Sequence, residues 1–346
     1  MARVRKGWTV GTLVGAVILS VVCGPALGRD PVKLVIRPQK ISAEAGKYSL
    51  LPPEASRTDG DAVPWYEKAV KTLPDQKSDN QVQQYLKMPV EQLPADQVEQ
   101  LLKAYIQSFK CAAQAVKCRQ CRWPAQTPET LMANLAEYRR LASGIRLWAR
   151  LELSNAQYDG ALPAIQTGLG MARQLGEGPT LIQLQMGVAT ANVQCREIEQ
   201  FVQVEDAPNL YSALASLPKP FVDPEKAIEA ERKATFSRFS GTLLSSKQLE
   251  SQMKPAHDRT RALARKLDSD LALLQCVEAI CSYAASHGGQ LPQTLADITE
   301  VSIPKDPMNG EAFHYTRTGT TAVLESIVPA GGEKRDEVHY QITVKN

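Results

Sequence analysis

The sharpest chemical pattern in the chain is Cys118-Arg119-Gln120-Cys121. Two thiols at this spacing, with Lys117, Arg119 and Arg122 beside them, suit thiol–disulfide chemistry, because nearby positive charge lowers a thiol's pKa. The flanking residues argue otherwise. A helical period precedes the pair and Trp123-Pro124 follows it, so the strand-to-helix setting of a redox motif is missing. Haem attachment needs histidine at position 122, which is arginine, and a zinc site needs two further ligands from a second such pair, which is absent. With Cys23 set aside in the N-terminal segment, Cys111, Cys118, Cys121, Cys195, Cys276 and Cys281 remain. An even number of cysteines in an exported chain points to structural disulfides. Cys276 and Cys281 would sit about 140° apart round one helix and so seek different partners.

The other reactive residue types do not assemble. His257, His287, His314 and His339 show no metal-binding spacing. His257-Asp258 reads as solvated, and His287 as a helix-end residue whose partial positive charge meets the helix dipole. Ser216/Lys219, Ser251/Lys254 and Ser302/Lys305 match Ser-x-x-Lys. No Lys-Thr-Gly element accompanies them, and proline inside the first and third spoils the helical turn that would aim lysine at serine. Nucleophile-elbow, zincin, phosphate-loop and dinucleotide motifs do not occur. Neither a metal nor a cofactor is implied, and catalytic activity is not evident.

Most of the elements that must position these residues are helical. Asp61-Ala62-Val63-Pro64 opens a short helix that Pro74 closes. Residues 75–80 read as a polar linker. One long amphipathic helix is expected from Val98 through Tyr105 to Val116. Thr127-Pro128-Glu129 starts the next, which runs to about Ser154. A partner helix occupies residues 158–175, its regular part beginning at Pro163. After the break at residues 176–180, helix resumes over 181–204, with a short helix ending near Leu217. Asp223-Pro224-Glu225 repeats the start device, residues 237–255 read as a loop or frayed helix, and a last long helix stops at Gly288-Gly289.

The pattern then changes. Val338, Tyr340, Ile342 and Val344 alternate with polar residues, as in a half-buried strand. With strands over residues 312–317 and 321–328 they make a small antiparallel meander. The fold class is mainly α: antiparallel helical hairpins, as a bundle or short solenoid, with a small C-terminal β meander. The organisation reads as 1–28 signal peptide or membrane anchor, 29–60 extended lead-in, 61–255 helical domain, and 256–346 long helix plus β module.

Residues 1–28 combine a basic start (Arg3, Arg5, Lys6), an apolar stretch and Ala26-Leu27-Gly28, the pattern of a cleaved secretory signal. Residues 8–27 also suffice for an uncleaved anchor, since about 20 apolar residues span a bilayer. Either way the rest is expected to be exported, to the periplasm or the extracellular space. The net charge of +3 belongs to this segment: without its three basic residues, 37 basic face 37 acidic. A balanced chain offers no field for nucleic acid.

Ala149, Tyr158-Asp159-Gly160-Ala161 and Gly168-Leu169 resemble one tetratricopeptide repeat; an ordinary helical hairpin explains the same residues. Tyr48-Ser49-Leu50-Leu51-Pro52-Pro53, residues 61–69, residues 176–182 and Ala207-Pro208-Asn209-Leu210-Tyr211 are similar to the landmarks of an uncharacterised family of exported bacterial helical proteins, which implies a fold but no activity. The end of the chain, from Gly288-Gly289 through Leu291-Pro292 to Asp306-Pro307-Met308-Asn309-Gly310 and Tyr315, resembles the soluble module of pseudopilins. Asp306 and Asn309 could join a calcium shell, but two ligands fall far short of the roughly six to eight required, and Asp-Pro and Asn-Gly set turns without any ion.

The function that follows is an exported interaction or scaffold module with a protein partner in the cell envelope, meeting the membrane only through an uncleaved N-terminus. The alternatives are an accessory of a secretion or pilus-like apparatus and an envelope hydrolase with a noncontiguous site.

Overall fold

The structure, a computed structural model, describes residues 31–42, 47–124, 128–239, 246–326 and 338–345. The expected signal segment, Thr127 and the last two residues of the strand expected over 321–328 lie outside the described residues. The described part is mainly helical with a small sheet formed near its C-terminus.

Helix α1 (Val63–Lys71) starts where Asp61 Oδ1 accepts the Val63 N–H at 3.1 Å, and it buries Tyr66 and Ala69. The expected linker at 75–80 is instead the start of α2 (Gln76–Tyr85), capped by Asp75, which accepts the Ser78 N–H at 3.0 Å. Only Val82 is buried there, so the apolar period is too sparse to read. The single helix expected over 98–116 is broken into α3 (Ala95–Leu102) and α4 (Ile106–Ala115) by a 3-10 turn, Lys103–Tyr105. Its two halves serve different neighbours: α3 packs on the long helix α5 (Pro128–Ser154) and α4 packs mainly on α1. Within the turn, Tyr105 hydrogen-bonds Asp79 of α2 at 2.9 Å.

Helices α5, α6 (Tyr158–Gly176) and α7 (Leu181–Phe201) form the central layer. Helix α6 begins at Tyr158, one turn before the expected Pro163, which its interior accommodates. Thr180 caps α7 by accepting the Gln183 N–H at 3.2 Å. Close approach of α6 and α7 depends on Gly187, where a Cβ would lie 2.5 Å from the Ala172 carbonyl oxygen. After α8 (Tyr211–Ala215), Asp223 opens α9 (Pro224–Phe239), accepting the Glu225 N–H at 3.0 Å. Helix α10 (Ser246–Ser286) takes in residues 246–255, expected as loop or frayed helix, and runs through the 255/256 division. It ends as expected: Gly288 and Gly289 adopt φ of 61° and 80°, a left-handed exit that glycine tolerates.

Strands β4 (His314–Thr318), β5 (Thr321–Ser326) and β6 (Val338–Val344) make the expected antiparallel meander. The lead-in then adds two strands the sequence did not announce. Strand β1 (Val32–Ile36) lies parallel to β6, with Leu34 opposite Ile342, giving the order β1-β6-β5-β4. Strand β2 (Thr58–Asp61) pairs parallel with β3 (Cys118–Gln120). Parallel partners cannot be joined by a tight turn, and here the β1–β6 connection is most of the chain and the β2–β3 connection is helices α1 to α4.

Two cores result. One gathers side chains of α1 to α5, including Tyr66, Phe109 and Tyr138. The other gathers α6 to α10, the sheet and the lead-in. Helix α6 is the wall between them, turning Met171 and Leu175 to the first and Leu169 and Ala172 to the second.

Candidate functional site

A cleft of about 690 Å3 opens between α9 and the first turns of α10. Its α9 wall presents Glu225, Ile228, Glu229 and Arg232, spaced as one helix face. The α10 wall presents Lys247, Glu250, Lys254, Asp258 and Arg261 with His257 among them. Helices normally close such a gap with apolar side chains; here Ile228 and Met253 are the apolar residues on the lining. Arg261 forks onto both Glu225 oxygens at 2.7 and 2.9 Å, bridging the two helices. Lys254 pairs with Asp258, and Arg232 with Glu229 at 3.6 Å, each along its own helix.

These pairs fix the protonation states. The hydrogen bonds from Arg261 hold the Glu225 carboxyl below its usual range, and the Lys254 ammonium does the same for Asp258. His257, expected to be solvated, is only 8% exposed, and its Nε2 has no hydrogen-bond partner within the protein. The α10 helix turns it inward while its neighbour Asp258 faces water, a consequence of the 100° step per residue that only the position of α9 could reveal.

A second, smaller cavity of about 170 Å3 brings Cys118 and Cys121 together with Gly170, Gln174 and the guanidinium-bearing Arg57, Arg119 and Arg173. It is rigidly built. The Gln174 amide donates to the Ala115 and Cys118 carbonyls, both at 3.2 Å, and accepts from Tyr66 Oη at 2.5 Å. Trp123 Nε1 donates to the Gln174 carbonyl at 2.7 Å. Of the basic neighbours expected to activate the thiols, Arg119 pairs with Glu54 and Asp59; Arg173, brought here by α6, pairs with Glu177. Burial pushes both thiols up, the reverse of an activated cysteine.

The disulfides expected among Cys111, Cys118, Cys121, Cys195, Cys276 and Cys281 are not formed in this structure: all six are free thiols, five of them buried. The five buried ones lie as small apolar residues within helices and strand, Cys195, Cys276 and Cys281 in one core and Cys111 and Cys118 in the other.

The remaining sequence candidates have structural roles. Asp306 is buried and accepts from Ser269 at 2.7 Å, Ser326 at 2.6 Å and the Met308 N–H at 2.9 Å, pinning the loop to α10 and β5. Asn309 accepts the Glu311 N–H at 2.8 Å, so both residues act in the turn. Ser216 donates to the Ala213 carbonyl and Lys254 is held by Asp258, which disposes of two Ser-x-x-Lys matches. His287 stacks on Tyr283 at the end of α10, with ring centroids 3.8 Å apart. His314 and His339 both bond Glu325, at 3.0 and 2.7 Å. Strand register alone brings these three together, so spacing could not show it. Burial works to raise the Glu325 carboxyl, but the two histidine bonds outweigh it and hold it low.

Sequence reasoning also missed Glu197, fully buried in the central layer and bonded by Arg146 at 2.6 Å, with Arg150 at 3.7 Å. The only signal available was two arginines four residues apart on a helix whose period buries one face. Among the described residues no three His, Cys, Asp or Glu side chains converge as metal ligands, and no helix is long and apolar enough to cross a membrane. Comparison of the chain with protein-family models, curated proteins and solved structures finds no match.

Proposed function

We propose that the chain is an exported helical interaction module, and that the α9/α10 cleft receives a polypeptide segment of mixed charge from an envelope protein. The observation that carries this reading is the composition of the cleft walls: acidic and basic residues of both helices face an open gap of about 690 Å3. Ion pairs this exposed contribute only about 0–1 kcal/mol each, so a partner's charges can replace them at little cost. Complementary charges then fix register and orientation. Export rests on residues 1–28, read as a signal.

Site-specific photo-crosslinking in the cell tests the docking surface. A crosslinker at Met253, inside the cleft, should capture a discrete partner, whereas one at Met132, exposed elsewhere, should not. Reversing charge with Lys254→Glu and Arg232→Glu should abolish the Met253 product. Equal capture at both positions, or capture indifferent to charge reversal, overturns the reading. Sequencing the N-terminus of the exported protein tests cleavage after Gly28.

An apparatus accessory is the second reading. Its support is the C-terminal arrangement, a long helix α10 bound through Ser269 to the Asp306 loop and the antiparallel sheet. Persistence with the membrane after cleavage would favour it. A hydrolase is less well supported by the geometry, because a general acid needs a raised pKa and the cleft's Glu225 and Asp258 are both held low.

A further inference from the structure

The cavity of about 170 Å3 beside β3 shares no residue with the α9/α10 cleft, and the docking reading of that cleft makes no use of it. Its wall is mainly polar, although Leu51, Pro52, Val116 and Gly170 contribute to it. Three arginines supply it from three separate segments: Arg57 from the lead-in, Arg119 from β3 and Arg173 from α6. The one carboxylate on the lining is Glu177, at the end of α6. Three cations against one anion leave an excess of two positive charges around the space. The thiols do not alter this balance, because burial keeps Cys118 and Cys121 protonated.

Two of the guanidiniums meet at one point. Glu54 Oε2 lies 3.9 Å from Arg57 Nε, and Glu54 Oε1 pairs with Arg119 Nη1, so a single carboxylate sits between them. That carboxylate shows that an oxyanion fits there. Glu54 and Asp59, the second partner of Arg119, are absent from the lining, and their side chains are 74% and 100% exposed. Water screens pairs this exposed, so they exchange readily. Donors remain for a ligand. Each guanidinium carries five N–H groups, yet among the described residues neither Arg57 nor Arg173 makes a hydrogen bond through its own; each only approaches one carboxylate oxygen, at 3.9 and 3.5 Å. The wall behind them is fixed, because the Gln174 amide is spent on Tyr66 and the Ala115 and Cys118 carbonyls, and a Cβ at Gly170 would lie 2.8 Å from Val116 Cβ.

We propose that this cavity binds a doubly charged tetrahedral oxyanion, a phosphate either free or as a monoester, held by Arg57, Arg119 and Arg173. A guanidinium fork sets two parallel N–H donors against two oxygens of one phosphate. The two excess positive charges of the wall match a dianion and leave a single negative charge under-served. Glu54 is then an internal competitor, which the ligand displaces from Arg57 and Arg119. Binding is noncovalent, and it weakens as salt screens the guanidiniums.

Calorimetric titration of the full chain with inorganic phosphate at low ionic strength tests the site. One equivalent should bind saturably, and sulfate should displace it about tenfold more effectively than acetate, which carries a single charge. Arg57→Gln and Arg173→Gln should each weaken binding about tenfold or more. Arg259→Gln, exposed on α10 and absent from the lining, should leave it unchanged. Glu54→Gln should tighten binding severalfold, a gain that misfolding cannot produce, and circular dichroism checks that the weakened variants are folded. Titration with glycerol phosphate separates the two sources: binding at least as tight as that of phosphate assigns an esterified ligand, and weaker binding assigns the free ion. No saturable binding, acetate as effective as sulfate, unchanged affinity in folded Arg173→Gln, or weaker binding by Glu54→Gln overturns the proposal.

Discussion

The two cores bury their faces with different materials. The first is aromatic: Tyr66 stacks on Trp123 at 5.8 Å between centroids, and Phe109 bridges Tyr105 and Trp148 at 5.7 and 5.4 Å. Its buried donors are matched, Tyr66 and Trp123 through Gln174 and Tyr105 through Asp79. The second is larger and richer in aliphatic side chains, with Phe201, Tyr211, Phe221, Phe313 and Tyr340 dispersed among them, and it holds carboxyl groups in apolar surroundings. Glu199 accepts from Tyr340 Oη at 2.7 Å, and Glu278 is fully enclosed, bonded to the Leu210 N–H with Oε1 left unpartnered within the protein. Neutral phenol and indole groups keep their protons across ordinary pH. Carboxyl groups do not, so the two cores should answer differently to alkali.

The largest effect tests that contrast. Burial raises the Glu278 carboxyl to about 8, against an unfolded value near 4.3. The folded state therefore binds a proton that the unfolded state has released between these values. Stability from this group is complete below about pH 4 and falls as pH rises to about 8, by roughly 5 kcal/mol at ~1.4 kcal/mol per unit. Urea unfolding at pH 5 and pH 8 should show the loss in the wild type, and Glu278→Gln should abolish most of it. A wild-type stability flat over this range would remove the contrast.

A smaller effect should strike both cores at once. Gly187→Ala places a Cβ 2.5 Å from the Ala172 oxygen and 2.6 Å from the Gly176 nitrogen, and backbone atoms yield poorly. Because α6 is the common wall, a loss of about 3 kcal/mol should lower the near-ultraviolet dichroism midpoint of the aromatic core and the far-ultraviolet midpoint together. Separate shifts would show that the cores unfold independently. The least is Tyr66→Phe. It leaves Gln174 Oε1 without its 2.5 Å donor and should cost about 1–2 kcal/mol, with the same cost at pH 5 and pH 8, since no carboxyl is involved.

Local signals carried much of the architecture. The helix starts at Asp61 and Asp223, the extent of α5 and the alternation of β6 are all realised, because a start signal or a period is written within a few turns of chain. Asp75 is a genuine cap without a matching apolar period, because the helix after it buries a single apolar residue. The candidate site was less legible. The cysteine pair was visible as a motif, but two of the arginines around it come from the lead-in and α6, and burial of the thiols reverses the activation that sequence proximity suggests. His257 looked solvated because its sequence neighbours are.

By itself, the sequence determined the class of fold, the position of most helices and of the C-terminal meander, and the charge balance of the chain beyond residue 28. Only the tertiary structure decided that Leu34 sits beside Ile342, that one expected helix must break at Tyr105, and which charges meet across α9 and α10. The physical reason is that periodicity records which face of an element leaves water, whereas its partner, and the register between them, follow from packing among residues hundreds of positions apart.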